Sequence, residues 1–202
     1  GLGHNCGMNS RVPRWLPPVI GAAVFVAVLL GAGLLSADWA KRSTEMRALV
    51  AQIEVSEQAM GDTQQAVQDA IAQVAPTGPP TAEDQAELDR LLMAAAANGL
   101  LEVTRGGDLV ASVQTLPWHA DVRQAQEAYL AHNRAWQAYL AAAAQDPAQF
   151  AMTQDDVNST FAAAEAPLRN AVPTPDAFGI VERLDEIFAP PAEVDSGPTE
   201  SA

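Results

Sequence analysis

The sequence predicts a mainly α fold: a single N-terminal transmembrane helix followed by a small extracytoplasmic helical bundle with one β-hairpin. Three observations predict it. Residues Val19 to Ala37 carry no charge, and most of the chain after them keeps a 3-4 apolar spacing. The composition, 49% apolar but only 5% aromatic over 202 residues, suits helices whose cores are built from small side chains. That length fits one domain plus an attachment.

Residues 1–17 read as a short leader in which Arg11 and Arg14 are the only charges. Met8 is a natural start for a signal-anchor, and Cys6, the single cysteine, reads as an incidental thiol. Residues 18–38 read as a transmembrane signal-anchor, because about 20 apolar residues make roughly 30 Å of helix. Trp15 and Trp39 flank the run, where aromatic side chains favour bilayer interfaces. A cleaved signal peptide is the alternative, but its apolar region is usually about 7–15 residues. Ala23, Ala27 and Gly31 recur every four residues and form a small-residue face for membrane-helix packing.

From Asp38 onward 25 acids face nine bases. With the basic leader and the absence of cysteine there, this places the bulk of the chain outside a single-pass cell membrane. The acidity excludes nucleic acid, whose phosphates need clustered Lys and Arg.

Residues 39–75 form a heptad-like helix. Met46, Leu49, Ile53, Ser56, Met60, Thr63, Val67, Ala70 and Val74 keep the 3-4 register. Ser56 and Thr63 make this a weak zipper, so packing on the chain's own later helices is favoured over a coiled-coil dimer. Pro76, Pro79 and Pro80 end the helix.

Residues 81–188 form the helical domain. Thr81 caps a helix with Asp84 three residues on, and Asn98-Gly99 closes it. Residues 100–113 read as a β-hairpin, two apolar stretches turning at Arg105-Gly106-Gly107-Asp108. Pro117 opens a helix with Val122, Ala125, Tyr129, His132, Trp136, Tyr139 and Ala143 on one face. Thr153 caps the next, with Val157, Phe161, Ala164, Leu168 and Val172 inward, and Pro167 interrupting. Thr174-Pro175-Asp176 starts a last short helix burying Ile180, Val181, Leu184, Ile187 and Phe188. Residues 189–202 read as a disordered acidic tail.

Chemistry is sparse. His119 and His132 are too far apart along one helix to share a metal, and no zinc, dinucleotide, phosphate-loop or nucleophile-elbow motif occurs. Asn158-Ser159-Thr160 matches a glycosylation acceptor but falls inside a helical pattern. No catalytic, cofactor-binding or metal-binding residue is expected. Tyr129, His132, Trp136 and Tyr139 form the candidate interaction or core cluster. The expected function is a non-enzymatic, membrane-anchored accessory or scaffold subunit docking on a larger bacterial-type membrane or envelope complex. Its partners would be the membrane and a protein of that complex, or a second copy in a homo-oligomer. The alternative is an extracytoplasmic helical ligand-binding or sensory domain, or a cleaved secreted binding protein.

Overall fold

The computed structural model describes residues 16–75, 79 and 81–189, with side chains from residue 25 onward. The chain divides into two compact units, residues 1–41 and 42–202. Five α-helices account for most of the described residues: α1 (Leu16–Val74), α2 (Ala82–Ala111), α3 (Ala120–Ala143), α4 (Asp155–Ala171) and α5 (Ile180–Ile187). A 3-10 turn, Pro147–Ala151, lies between α3 and α4.

In the first unit α1 exposes Phe25, Val26, Val28, Leu29, Leu30, Leu34 and Leu35. Among the described residues no helix is long and apolar enough to cross a membrane, which overturns the transmembrane signal-anchor expected at 18–38. With it falls the single-pass membrane localisation. The part of the uncharged run whose side chains are described, Phe25 to Ala37, has thirteen residues against the roughly 20 a span requires. The run counted from Val19 takes its other six positions from side chains outside the described residues, as does Ala23. Ala27 and Gly31 lie on α1, and a Cβ built on Gly31 meets nothing within 4 Å. The leader before Leu16 and the tail after Ala189 also lie outside the described residues.

In the second unit the heptad register of α1 becomes its buried face. Met46, Leu49, Ile53, Ser56, Met60, Thr63 and Ala70 are all buried, with Val50 beside them. Their covers are the chain's own later helices. Met46, Leu49 and Ile53 share a core with Val110, Val122, Tyr129, Leu168 and Leu184. Further along, Met60 joins Val103, Trp136, Leu140 and Val157. Burying a side chain of this size stabilises the fold by roughly 1.5–3 kcal/mol.

The β-hairpin expected at 100–113 does not form: α2 runs through it, and no strand occurs among the described residues. Nor does Asn98-Gly99 end the helix. The glycines serve packing instead. Leu92, Ala96, Gly99, Val103, Gly106 and Val110 are buried at alternating spacings of three and four, one stripe along α2. A Cβ on Gly99 would come within 2.3 Å of Thr63 Cγ2, and one on Gly106 within 3.0 Å of Ser56 Cα. One on Gly107 would come within 2.3 Å of Asn133 Oδ1 on α3. These pairings run α2 antiparallel to α1. Each glycine costs the helix about 1 kcal/mol relative to Ala, which close helix contact offsets.

Helix ends follow local chemistry. Asp84 N donates to Thr81 Oγ1 (3.1 Å) and Thr81 N to Asp84 Oδ2 (2.9 Å), a reciprocal capping box. At the other end of α2, Gln126 Nε2 donates to the carbonyls of Val110 (2.7 Å) and Val113 (3.1 Å). α3 starts at Ala120 rather than Pro117, and α4 at Asp155 with Pro167 accommodated inside it. The Asp176 carboxylate accepts from Phe178 N and Val181 N, holding the start of α5 at Ile180. Val181 itself faces solvent.

Polar side-chain contacts tie α1 to the rest of the second unit. His119 Nδ1 lies 2.6 Å from Glu45 Oε2, both side chains buried, and Arg42 pairs with Asp121. Arg183 holds Glu54 through two bonds, Nε to Oε1 at 2.6 Å and Nη2 to Oε2 at 2.5 Å.

Candidate functional site

The four residues expected to cluster divide into two places. Tyr129 and His132 point inward to a polar pocket in the core, whereas Trp136 and Tyr139, one and two turns further along α3, border an open groove.

The buried Tyr129 Oη donates to Glu57 Oε1, whose side chain lies at the partly exposed edge of α1 (2.8 Å). His132 Nδ1 lies 3.2 Å from the Val157 carbonyl on α4, so that nitrogen carries the proton and donates. Its other nitrogen, Nε2, is buried without a hydrogen-bond partner and sits 3.7 Å from Glu57 Oε1. The Phe161 ring closes on the imidazole at 4.9 Å. Burial raises the Glu57 pKa above the usual carboxylate range, an effect the Tyr129 hydrogen bond partly offsets. Burial lowers His132 to about 4, against an opposing contribution from the Val157 carbonyl. The Tyr129 phenol is pushed up, first by burial and then by the Glu57 charge.

Asn133 completes this layer. Its Nδ2 donates to Ser56 Oγ (3.1 Å) and to the Val103 carbonyl (3.0 Å), and its Oδ1 accepts from Gln137 (2.6 Å). One buried amide thus joins α1, α2 and α3, and none of its groups is left unpaired.

The low His132 value has a consequence for acid stability. A base whose pKa is depressed on folding contributes stability that is complete above its unfolded value, near 6.5, and lost as pH falls toward about 4. Glu57, with its pKa raised, acts in the opposite sense and moderates the loss. Urea denaturation of the full chain should show a fall of about 2–3 kcal/mol between pH 6.5 and 4. His132→Phe should remove most of it; an unchanged pH profile in that variant would place the acid sensitivity elsewhere.

The groove lies between the far end of α1, α3 and the 3-10 turn, with a volume of about 220 Å³. Thr63, Gln64, Val67, Gln68 and Ile71 line it from α1, and Trp136, Tyr139 and Leu140 from α3. Phe150 and Gln154 close the third side. Trp136 meets Tyr139 edge to face at 5.8 Å, and Tyr139 meets Phe150 the same way at 5.8 Å. Gln154 Nε2 donates to Tyr139 Oη (3.0 Å), fixing the phenol at the rim. No charged residue lines this groove. By contrast, Asp62, Glu102 and Arg105 line the hollow between α1 and α2, and Arg134, Asp155 and Asp156 the one between α3 and α4.

Among the described residues no group of three or more His, Cys, Asp or Glu could hold a metal ion. Glu57, Asn133 and Phe150 escape sequence reading for different reasons. Glu57 sits beside Ser56 on the inward edge of α1, and only a buried phenol in search of an acceptor could signal it. Asn133 interrupts an apolar face, which resembles a surface position. Phe150 is placed by Asp146-Pro147, a cap and first-turn proline in which Asp146 Oδ1 accepts from Ala148 N (3.0 Å). No protein family, curated protein or solved structure matches the chain.

Proposed function

We propose that the chain is a non-enzymatic docking subunit whose α1/α3 groove receives an apolar side chain from a basic segment of a partner protein. The observation that carries this reading is an uncharged, aromatic-lined groove in a chain with 25 acids. Its lining suits an aliphatic or aromatic group and offers a carboxylate-bearing ligand no cation. At about 220 Å³ it falls below the roughly 300 Å³ where ordinary ligand pockets begin, and matches a single side chain instead. Ile71 on its edge is about half exposed, continuing the apolar surface beyond the cavity so that flanking partner residues find contact too. Acids stand next to the lining residues in sequence: Asp69 follows Gln68, and Asp155 and Asp156 follow Gln154. They favour Lys or Arg on either side of the anchor.

The test is selection of a random 12-residue peptide library on the full chain. Enriched peptides should carry one large apolar or aromatic residue flanked by bases. They should bind more weakly in high salt and lose at least about tenfold in affinity, some 1.4 kcal/mol, to Ile71→Asp. Peptides without a basic bias, or binding that Ile71→Asp leaves unchanged, would overturn the reading. A small molecule that raises the melting temperature in place of any peptide would favour the ligand-binding alternative.

A further inference from the structure

We propose that Glu57 and His132 form a one-proton latch between α1 and α3: on acidification a single proton comes to lie between Glu57 Oε1 and His132 Nε2 and joins the two helices. The geometry leaves few other arrangements. His132 is 2% exposed, and its Nδ1–H is committed to the Val157 carbonyl, so the ring presents a bare Nε2 lone pair to α1. The group it faces is Glu57 Oε1 at 3.7 Å, already tethered by the Tyr129 hydroxyl at 2.8 Å. With Glu57 ionised and the ring neutral, two acceptors face each other and cannot bond. That accounts for both the orphaned nitrogen and the separation, which is beyond hydrogen-bond length. One added proton turns either group into a donor, and closing the gap by less than about 1 Å completes the bond.

The surroundings keep the proton on this pair. From α3 itself Tyr129 is the titratable neighbour, and it stays protonated because burial and the Glu57 charge push its pKa up. From α4 the ring meets Val157, Thr160 and Phe161, none of them charged. From α1 it meets Glu57. Burial disfavours both ionised groups, raising the carboxylic acid and lowering the imidazolium, so the pair prefers one shared proton to two separate charges. A buried nitrogen without a partner costs free energy; the shared proton recovers only part of it, so the folded pair still takes up its proton below the range of the unfolded imidazole and the acid loss of stability remains.

The experiment is side-chain NMR of the full chain, labelled at Glu and His and titrated from pH 8 to pH 2.5. The Glu57 carboxyl carbon and His132 Nε2 should move together with one apparent pKa, while His132 Nδ1 keeps its proton throughout. In Glu57→Gln, whose amide can donate to Nε2 without any added proton, the His132 transition should disappear or move down by at least about one pH unit. Separate transitions for the two groups in the wild type would overturn the latch. So would an unshifted His132 transition in Glu57→Gln. The wild-type titration decides the question alone if that variant does not fold.

Discussion

Trp136→Ala is expected to destabilise the full chain by about 3–5 kcal/mol, since deleting a buried indole removes its transfer free energy and leaves a cavity. The ring is 5% exposed and packs with Met60, Val103, Leu140 and Val157, which come from α1, α2, α3 and α4. Collapse around the gap would require helices fixed by other contacts to move, so the cost should fall in the upper part of the range. Chemical denaturation followed by circular dichroism measures it. A loss under about 0.5 kcal/mol would mean that Trp136 is a surface residue. Because the indole also walls the groove, the variant should bind selected peptides poorly even where it remains folded.

The second large effect concerns the glycine stripe of α2. Gly106→Leu should cost about 3 kcal/mol, because a Cβ there already meets the Ser56 backbone at 3.0 Å and a main chain cannot rotate aside. Gly61→Ala, on the outer side of α1 with nothing within 4 Å of a built Cβ, should stabilise by about 0.5–1 kcal/mol. Opposite signs for two glycines in helices would distinguish close packing from ordinary helix propensity. A tolerated Gly106→Leu would instead suit a flexible turn at 105–108.

Those same glycines explain where sequence reading failed. Periodicity points to most of the inner faces: Met46, Leu49, Ile53, Met60 and Ala70 on α1, Val122, Ala125, Tyr129, Trp136 and Ala143 on α3, and Val157, Ala164 and Leu168 on α4 are buried, whereas Val67, Tyr139 and Phe161 are only partly so. Thr81 and Asp84 announced their own capping box, since its partners lie three residues apart. Gly106-Gly107 lies among β-branched and apolar residues, and local chemistry there favours a turn. What decides for helix is the approach of Ser56 and Asn133, one from each side and far away in the chain. The polar core was invisible for the same reason. Spacing alone picks out Tyr129 and His132, but their partner Glu57 is reached only across the bundle. The groove needs three elements at once, and one of them, the 3-10 turn carrying Phe150, has no periodicity to detect.

The docking claim is tested most directly by amide hydrogen exchange on the full chain, with and without a saturating basic peptide obtained by selection. Bound peptide should slow exchange in residues 64–71, 136–140 and 147–154, the segments that frame the groove. The hollow between α1 and α2, around Val55 and Leu109, should be unchanged. Protection confined to that second hollow, or none in the groove segments, would contradict the account.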